Sequence, residues 1–145
     1  MQVLLLSSIH HRPEGRWFLE LFFAKIITNL NNIRLENNTM YLSNNDALLI
    51  NFLKNNGLKN VPKKGIDIVL NINKNLSFGE VKEINESGGS QNLQFNNLKE
   101  IANYENGFGI IYGNILFSDN KIRRTVENNP NIFKIWEFDE LISSI

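Results

Sequence analysis

Asp67, Glu80 and Lys82 are the residues whose types and spacing carry the most chemistry in this sequence. Asp67 lies in the run Gly65-Ile66-Asp67-Ile68-Val69-Leu70, and after a short polar turn Glu80 and Lys82 lie in Phe78-Gly79-Glu80-Val81-Lys82. Both runs read as apolar strands, on which successive side chains alternate between faces. Glu80 and Lys82 therefore point one way and Val81 the other. Two carboxylates and a lysine at one sheet edge suit a hard divalent cation, because Mg²⁺ takes one or two carboxylates plus waters and substrate phosphate oxygens. A lysine beside the ion can hold or help deprotonate an attacking water. The ordinary alternative is a solvent-exposed Glu80–Lys82 ion pair, worth at most about 1 kcal/mol. Burial of both acids in apolar runs, where unpaired charge is costly, argues for the site.

The elements that position these residues follow from periodicity and punctuation. Pro13 suits a first helical turn, and Trp17, Phe18, Leu21, Phe22 and Ile26 recur at helical spacing, which predicts a helix over 13–30. Residues 33–35 and 40–42, separated by Asn37 and Asn38, read as a short hairpin. Asn44 or Asn45 caps a helix carrying Leu48, Leu49, Ile50, Phe52 and Leu53, which ends at Gly57. Strands over 65–72 and 76–84 then form a hairpin through a turn at 73–75. After a break at 87–90, residues 91–103 read as a helix with an apolar stripe of Leu93, Phe95, Leu98, Ile101 and Ala102. A buried strand at 107–112, extended segments near 115–117 and 132–138, and a last helix at 139–145 capped by Asp139 complete the order. The pattern is mixed α/β, without repeat or linker, and reads as one domain over 1–145.

The arrangement Asp67, spacer, Glu80-x-Lys82 resembles the active site of the PD-(D/E)XK nuclease superfamily, to which most type II restriction endonucleases and several repair and junction-cutting nucleases belong. The resemblance spans about a third of the chain, from Gly65 to Gly113, and departs from the pattern at Ile66, where many members have proline. It implies an αβββαβ core, a central mixed sheet flanked by helices, and a Mg²⁺-dependent endodeoxyribonuclease, with Mn²⁺ as a possible substitute. Asp67 and Glu80 are then metal ligands together with the backbone carbonyl of Val81, and Lys82 orients or activates water. A third acid comes from the first helix in many members. Here Glu20, with Phe23, Ala24 and Ile27 on its own face, is favoured over Glu14, which could simply favour the helix dipole. The resemblance also implies DNA as partner and a homodimer, since two symmetric sites cut both strands of a symmetric sequence. A structure-specific nuclease, such as a Holliday-junction resolvase, and a noncatalytic DNA-binding module on the same fold are the rival readings.

Other constellations are weaker. Ser87, Gly88, Gly89 and Ser90 precede a helix, so free N–H groups and a positive dipole end offer a phosphate site; the loop reads equally as a connection capped by Ser90. Gln91 and Gln94 stand where related nucleases carry a helical glutamine, and one of them reads as a surface residue. Lys63 and Lys64, just before Asp67, and Arg123 with Arg124 are the best basic pairs for phosphate contact. His10 and His11 are adjacent, and adjacent residues rarely converge on one ion. Gly107-x-Gly109 opens a strand and is no dinucleotide loop.

Composition sets the outer bounds. The chain has 145 residues, 42% hydrophobic and 21% charged, with formal net charge zero. No global basic field is available to coat nucleic acid, but a local patch can still contact phosphates. Cysteine is absent, which excludes disulfides, zinc-thiolate sites and a cysteine nucleophile and makes the cytoplasm the simplest compartment. The apolar opening at 1–6 is too short for a signal segment, and no stretch is long enough to span a bilayer. Asparagine is conspicuous and dispersed, in keeping with AT-rich coding and with turns and caps.

Overall fold

The computed structural model describes residues 31–145 with the exception of Glu36. The helix expected over 13–30, with Glu14 and Glu20, and His10 and His11 lie outside the described residues. Among the described residues a six-stranded sheet forms the centre, with strands β1 (Asn31–Leu35), β2 (Asn38–Leu42), β3 (Ile68–Ile72), β4 (Asn75–Glu83), β5 (Gly107–Tyr112) and β6 (Ile132–Lys134) in that spatial order. β1 to β4 are an antiparallel meander, whereas β5 runs parallel to β4 and β6 parallel to β5. Helices α1 (Asp46–Asn55), α2 (Gly89–Ala102), α3 (Ile115–Ser118), α4 (Asn120–Asn128) and α5 (Phe138–Ser144) accompany it. The protein is thus mixed α/β.

The two parallel steps require crossovers, and α2 supplies the first, between β4 and β5. Among the described residues, sheet and helices bury three apolar clusters. Val69 and Phe78 pack with Leu49 and Leu53 of α1 and Ile101 of α2. Ile84 and Ile111 pack with Phe95, Leu98 and Ala102 of α2 and with Ile122 and Val126 of α4. Ile68, Leu70, Val81, Ile110 and Tyr112 pack with Phe138 and Leu141 of α5. Alternation along β4 thus sends Phe78 into one cluster and Val81 into another, as period-two patterning requires. The approach of α2 to β5 depends on Gly109, where a Cβ would come within 2.8 Å of Leu98.

Local signals explain the boundaries. Asn45 caps α1 by accepting the Ala47 N–H at 3.0 Å, and Gly57, at φ 96°, takes the left-handed conformation beyond its end. The β3–β4 turn is tighter than residues 73–75 suggest: Ile72 pairs with Asn75, and Asn73 and Lys74 both have positive φ, 51° and 68°. That is the type I′ pattern, whose twist matches the strands it joins. Asn38 Oδ1 secures it by accepting the Asn73 N–H at 2.9 Å.

Several expectations are corrected. Regular pairing of β3 begins at Ile68 instead of residue 65, because Gly65 turns the chain with φ 92°. Helix α2 starts at Gly89, so Ser90 lies inside it instead of capping it, and Leu93 in the expected stripe is 60% exposed. Residues 115–118 form a helical turn instead of a strand, and α4 follows. Asp119 starts α4 by accepting the Ile122 N–H at 3.0 Å; with Ile122 and Val126 as its buried residues, its apolar period is too sparse to see in sequence. The extended segment at 132–138 pairs only through Lys134, after which Glu137 Oε1 accepts the Lys134 N–H at 2.7 Å and bends the chain. Asp139 then sits in the first turn of α5 instead of at its cap.

Candidate active site

Asp67 immediately precedes β3, and its backbone N–H donates to the Gly79 carbonyl at 2.8 Å. Beyond it the chain departs from β4 toward Gly65, so the ladder runs out of backbone acceptors. The Asp67 side chain takes over: Oδ2 accepts the Val81 N–H at 2.9 Å. On a strand the N–H and C=O of one residue point toward the same neighbour, so the Val81 carbonyl is directed to the side on which the Asp67 carboxylate sits.

Glu80, one residue before Val81, is 5% exposed and forms an ion pair with Lys82, Nζ to Oε1 3.1 Å. Lys82 keeps 30% of its side chain exposed, so its ammonium spans buried carboxylate and solvent. The surface-pair alternative therefore does not describe Glu80. The structure brings Asp67, Glu80, Lys82 and the Val81 backbone to one end of the β3–β4 pair, next to β5, where Lys82 is in register with Ile111. Among the described residues there is no group of three His, Asp or Glu side chains placed to share a metal ion. Two carboxylates are sufficient for Mg²⁺ when waters and phosphate oxygens complete its shell.

Glu80 also lines a recess of about 450 Å³ together with Asp46, Pro62, Lys63, Lys64, Gly65, Asn97, Glu100, Ile101 and Tyr104. Its wall is fixed from α1, where Asp46 Oδ2 accepts the Gly65 N–H at 2.8 Å. Gly65 lies against Glu80 and Ile101, with its Cβ direction 3.8 Å from Glu80 Oε1. Tyr104 is held edge-on to Phe78, ring centroids 5.8 Å apart. Of the expected basic pairs, Lys63 and Lys64 face this recess, whereas Arg123 and Arg124 lie on α4, with Arg123 donating to Asn120.

The remaining expected residues divide. Gly88 and Gly89 are exposed at the start of α2 with φ 92° and 52°, and the Gly88 N–H donates to Asn92 Oδ1 at 3.1 Å. Gln94 is three residues before Asn97 and seven before Ile101, hence on the helix stripe that faces the recess. Gln91 instead shares the stripe of Phe95 and Leu98, which face the core. Asp46, Asn97, Glu100 and Tyr104 were not singled out in sequence. Asn97 and Glu100 share one face of α2 by their i, i+3 spacing, whereas Tyr104 lies just beyond the helix, which ends at Ala102.

On the far side of the sheet Tyr112, opposite Glu83 in register, is buried. Burial first, then the negative charges of Glu83 and Asp67, push its hydroxyl up to about 12. Compared with protein-family models, curated proteins and solved structures, the chain matches none of them.

Proposed function

We propose that the protein is a Mg²⁺-dependent DNA nuclease with a restriction-endonuclease-like core, acting as a homodimer. The observation that supports this reading is the convergence of Asp67, Glu80 and Lys82 at one end of β3 and β4, with the Val81 N–H fixing the Asp67 carboxylate at 2.9 Å. The element order agrees with it: three antiparallel strands β2, β3 and β4, then α2, then β5 parallel to β4. The donor set fits the ion. Two hard oxygen donors stand side by side, Asp67 just before β3 and the nearly buried Glu80 on β4, and a bound dication would offset the repulsion between them.

In this reading Asp67, Glu80 and the Val81 carbonyl hold the cation, which when bound neutralises phosphate charge and lowers the pKa of water. Val81 keeps the Asp67 carboxylate oriented. Lys82, held by Glu80, positions the attacking water and stabilises negative charge as the water oxygen bonds to phosphorus and the P–O bond to the leaving sugar opens. Lys63 and Lys64 contact backbone phosphate.

The test is incubation of supercoiled plasmid with wild-type protein and Asp67→Asn, with Mg²⁺ or with chelator. Nicked or linear product from wild type with Mg²⁺ alone supports the reading; intact plasmid, linear duplex and branched DNA under all conditions would overturn it. A fixed cut sequence in linear duplex marks restriction-type action. Cleavage confined to branched or flapped DNA marks a structure-specific nuclease, the second reading, which the recess of about 450 Å³ beside Glu80, too small for a duplex, favours.

A further inference from the structure

We propose that the recess between Lys63 and Lys64 and the face of α2 binds one unpaired nucleotide, so that the substrate carries a single-stranded, frayed or extruded position beside the bond acted on. This rests on the nuclease reading for its place next to the scissile phosphate, while the pocket itself is argued from its own lining.

Its volume of about 450 Å³ falls in the range of small-ligand sites and far short of a duplex. Its lining has the chemistry of a nucleotide. Ile101 and Tyr104 give an apolar and aromatic surface for a base, and base–aromatic stacking is indifferent to base identity. Asn97, exposed on α2, presents both amide donor and carbonyl acceptor, and Glu100, exposed one turn later, presents acceptors for an exocyclic amine. Lys63 and Lys64, both exposed on the opposite wall, supply cations for the phosphate. Enzymes that take a base out of the stack use this combination of edge hydrogen bonds and flat apolar contact.

The location adds the directional argument. Glu80 belongs to both sites: its carboxylate pairs with Lys82 at 3.1 Å and also lines the recess. A nucleotide seated there therefore has its phosphate next to the proposed cation site. The wall is rigid where it matters, because Asp46 ties Gly65 at 2.8 Å and Tyr104 packs on Phe78. Gly65, at φ 92°, makes the turn that opens the recess.

The experiment is fluorescence anisotropy of the full chain in Ca²⁺, comparing a labelled single-stranded oligonucleotide, the same strand in blunt duplex, and the strand with abasic positions. The expected result is binding of the single strand tighter than the duplex by about tenfold or more, the size of one base contact, with the abasic strand close to the duplex. Asn97→Ala and Glu100→Ala, both at exposed positions, are expected to lower the single-strand to duplex ratio. Equal affinity for the two forms, or an unchanged ratio in both variants, would overturn the pocket. A preference that persists in a protein that cuts no DNA removes the nuclease reading and leaves the pocket standing; cleavage of duplex with a ratio near unity does the reverse.

Discussion

The carboxylate of Asp67 occupies the ladder position of a backbone carbonyl, accepting the Val81 N–H at 2.9 Å where the chain before β3 has turned away from β4. One side chain thus ends the sheet pairing and faces the proposed cation site. Those two roles separate by substitution. Asp67→Asn keeps an acceptor for Val81 and is expected to leave stability nearly unchanged, while Asp67→Ala strands a half-buried donor and costs about 1–2 kcal/mol. Both are expected to lower cleavage by orders of magnitude and to weaken Mg²⁺ binding. Urea melts and calorimetric Mg²⁺ titration check this; full activity in either variant would remove Asp67 from the site.

Glu80 and Lys82 form the second separable pair. Lys82→Met leaves a buried carboxylate without its cation, which costs several kcal/mol in a deep interior but, with Lys82 at 30% side-chain exposure, is expected to cost only about 1–2 kcal/mol. In a Glu80→Gln background the same change is expected to cost little, because no charge is left behind. A double-mutant cycle by chemical denaturation measures the difference. Additive effects would show that the 3.1 Å pair contributes no coupling.

Lys82 also acts on the nucleophile in the proposed mechanism, so its removal is expected to slow cleavage by orders of magnitude while DNA binding in Ca²⁺ persists, Ca²⁺ accepting looser oxygen geometry. Anisotropy and single-turnover cleavage, run on the same preparation, read the two separately. A Lys82→Ala protein that cuts at the wild-type rate would exclude the role.

Much of this architecture was legible in sequence because it rests on local, strong signals. The Asn45 cap, the exit at Gly57, the β3–β4 hairpin and the uniformly apolar β5 each follow from a few adjacent residues. So did the shared end of β3 and β4, since strand alternation fixes the common direction of Glu80 and Lys82. What sequence did not show depends on tertiary partners. Helix α4 buries Ile122 and Val126 and is started by an aspartate, and β6 shortens to three residues because Glu137 turns it aside. The recess required Asp46 and Gly65, 19 positions apart, to meet, and no periodicity announces such a contact.

Tyr112 gives a pH prediction. Its hydroxyl is raised from 10.0 to about 12 by burial, with Glu83 and Asp67 adding to the effect. A raised pKa means that the folded state holds the proton longer than the unfolded chain. The stabilisation is complete below about pH 10 and is lost as pH rises through 10 to 12. Denaturation midpoints across that window are expected to fall more steeply for wild type than for Tyr112→Phe. Parallel curves for the two proteins would show that the phenol is solvated in the fold.

The start of α2 offers a way to separate backbone strain from phosphate contact. Gly88 has φ 92° and ψ 162°, a region essentially restricted to glycine, while Gly89, at φ 52°, is in the left-handed region that asparagine also adopts. Nothing lies within 4 Å of a Cβ at either position, so the cost of substitution is conformational. Gly88→Ala is accordingly expected to destabilise by about 1–3 kcal/mol, and loss of DNA binding in that variant would report unfolding. Gly89→Asn is expected to fold normally. If the N–H groups at this helix start contact a DNA phosphate, Gly89→Asp, which places a negative charge there on a tolerated backbone, weakens binding and flattens its salt dependence relative to Gly89→Asn. Equal affinity and equal salt slope in the asparagine and aspartate variants would assign the turn to architecture and leave Lys63 and Lys64 as the phosphate contacts.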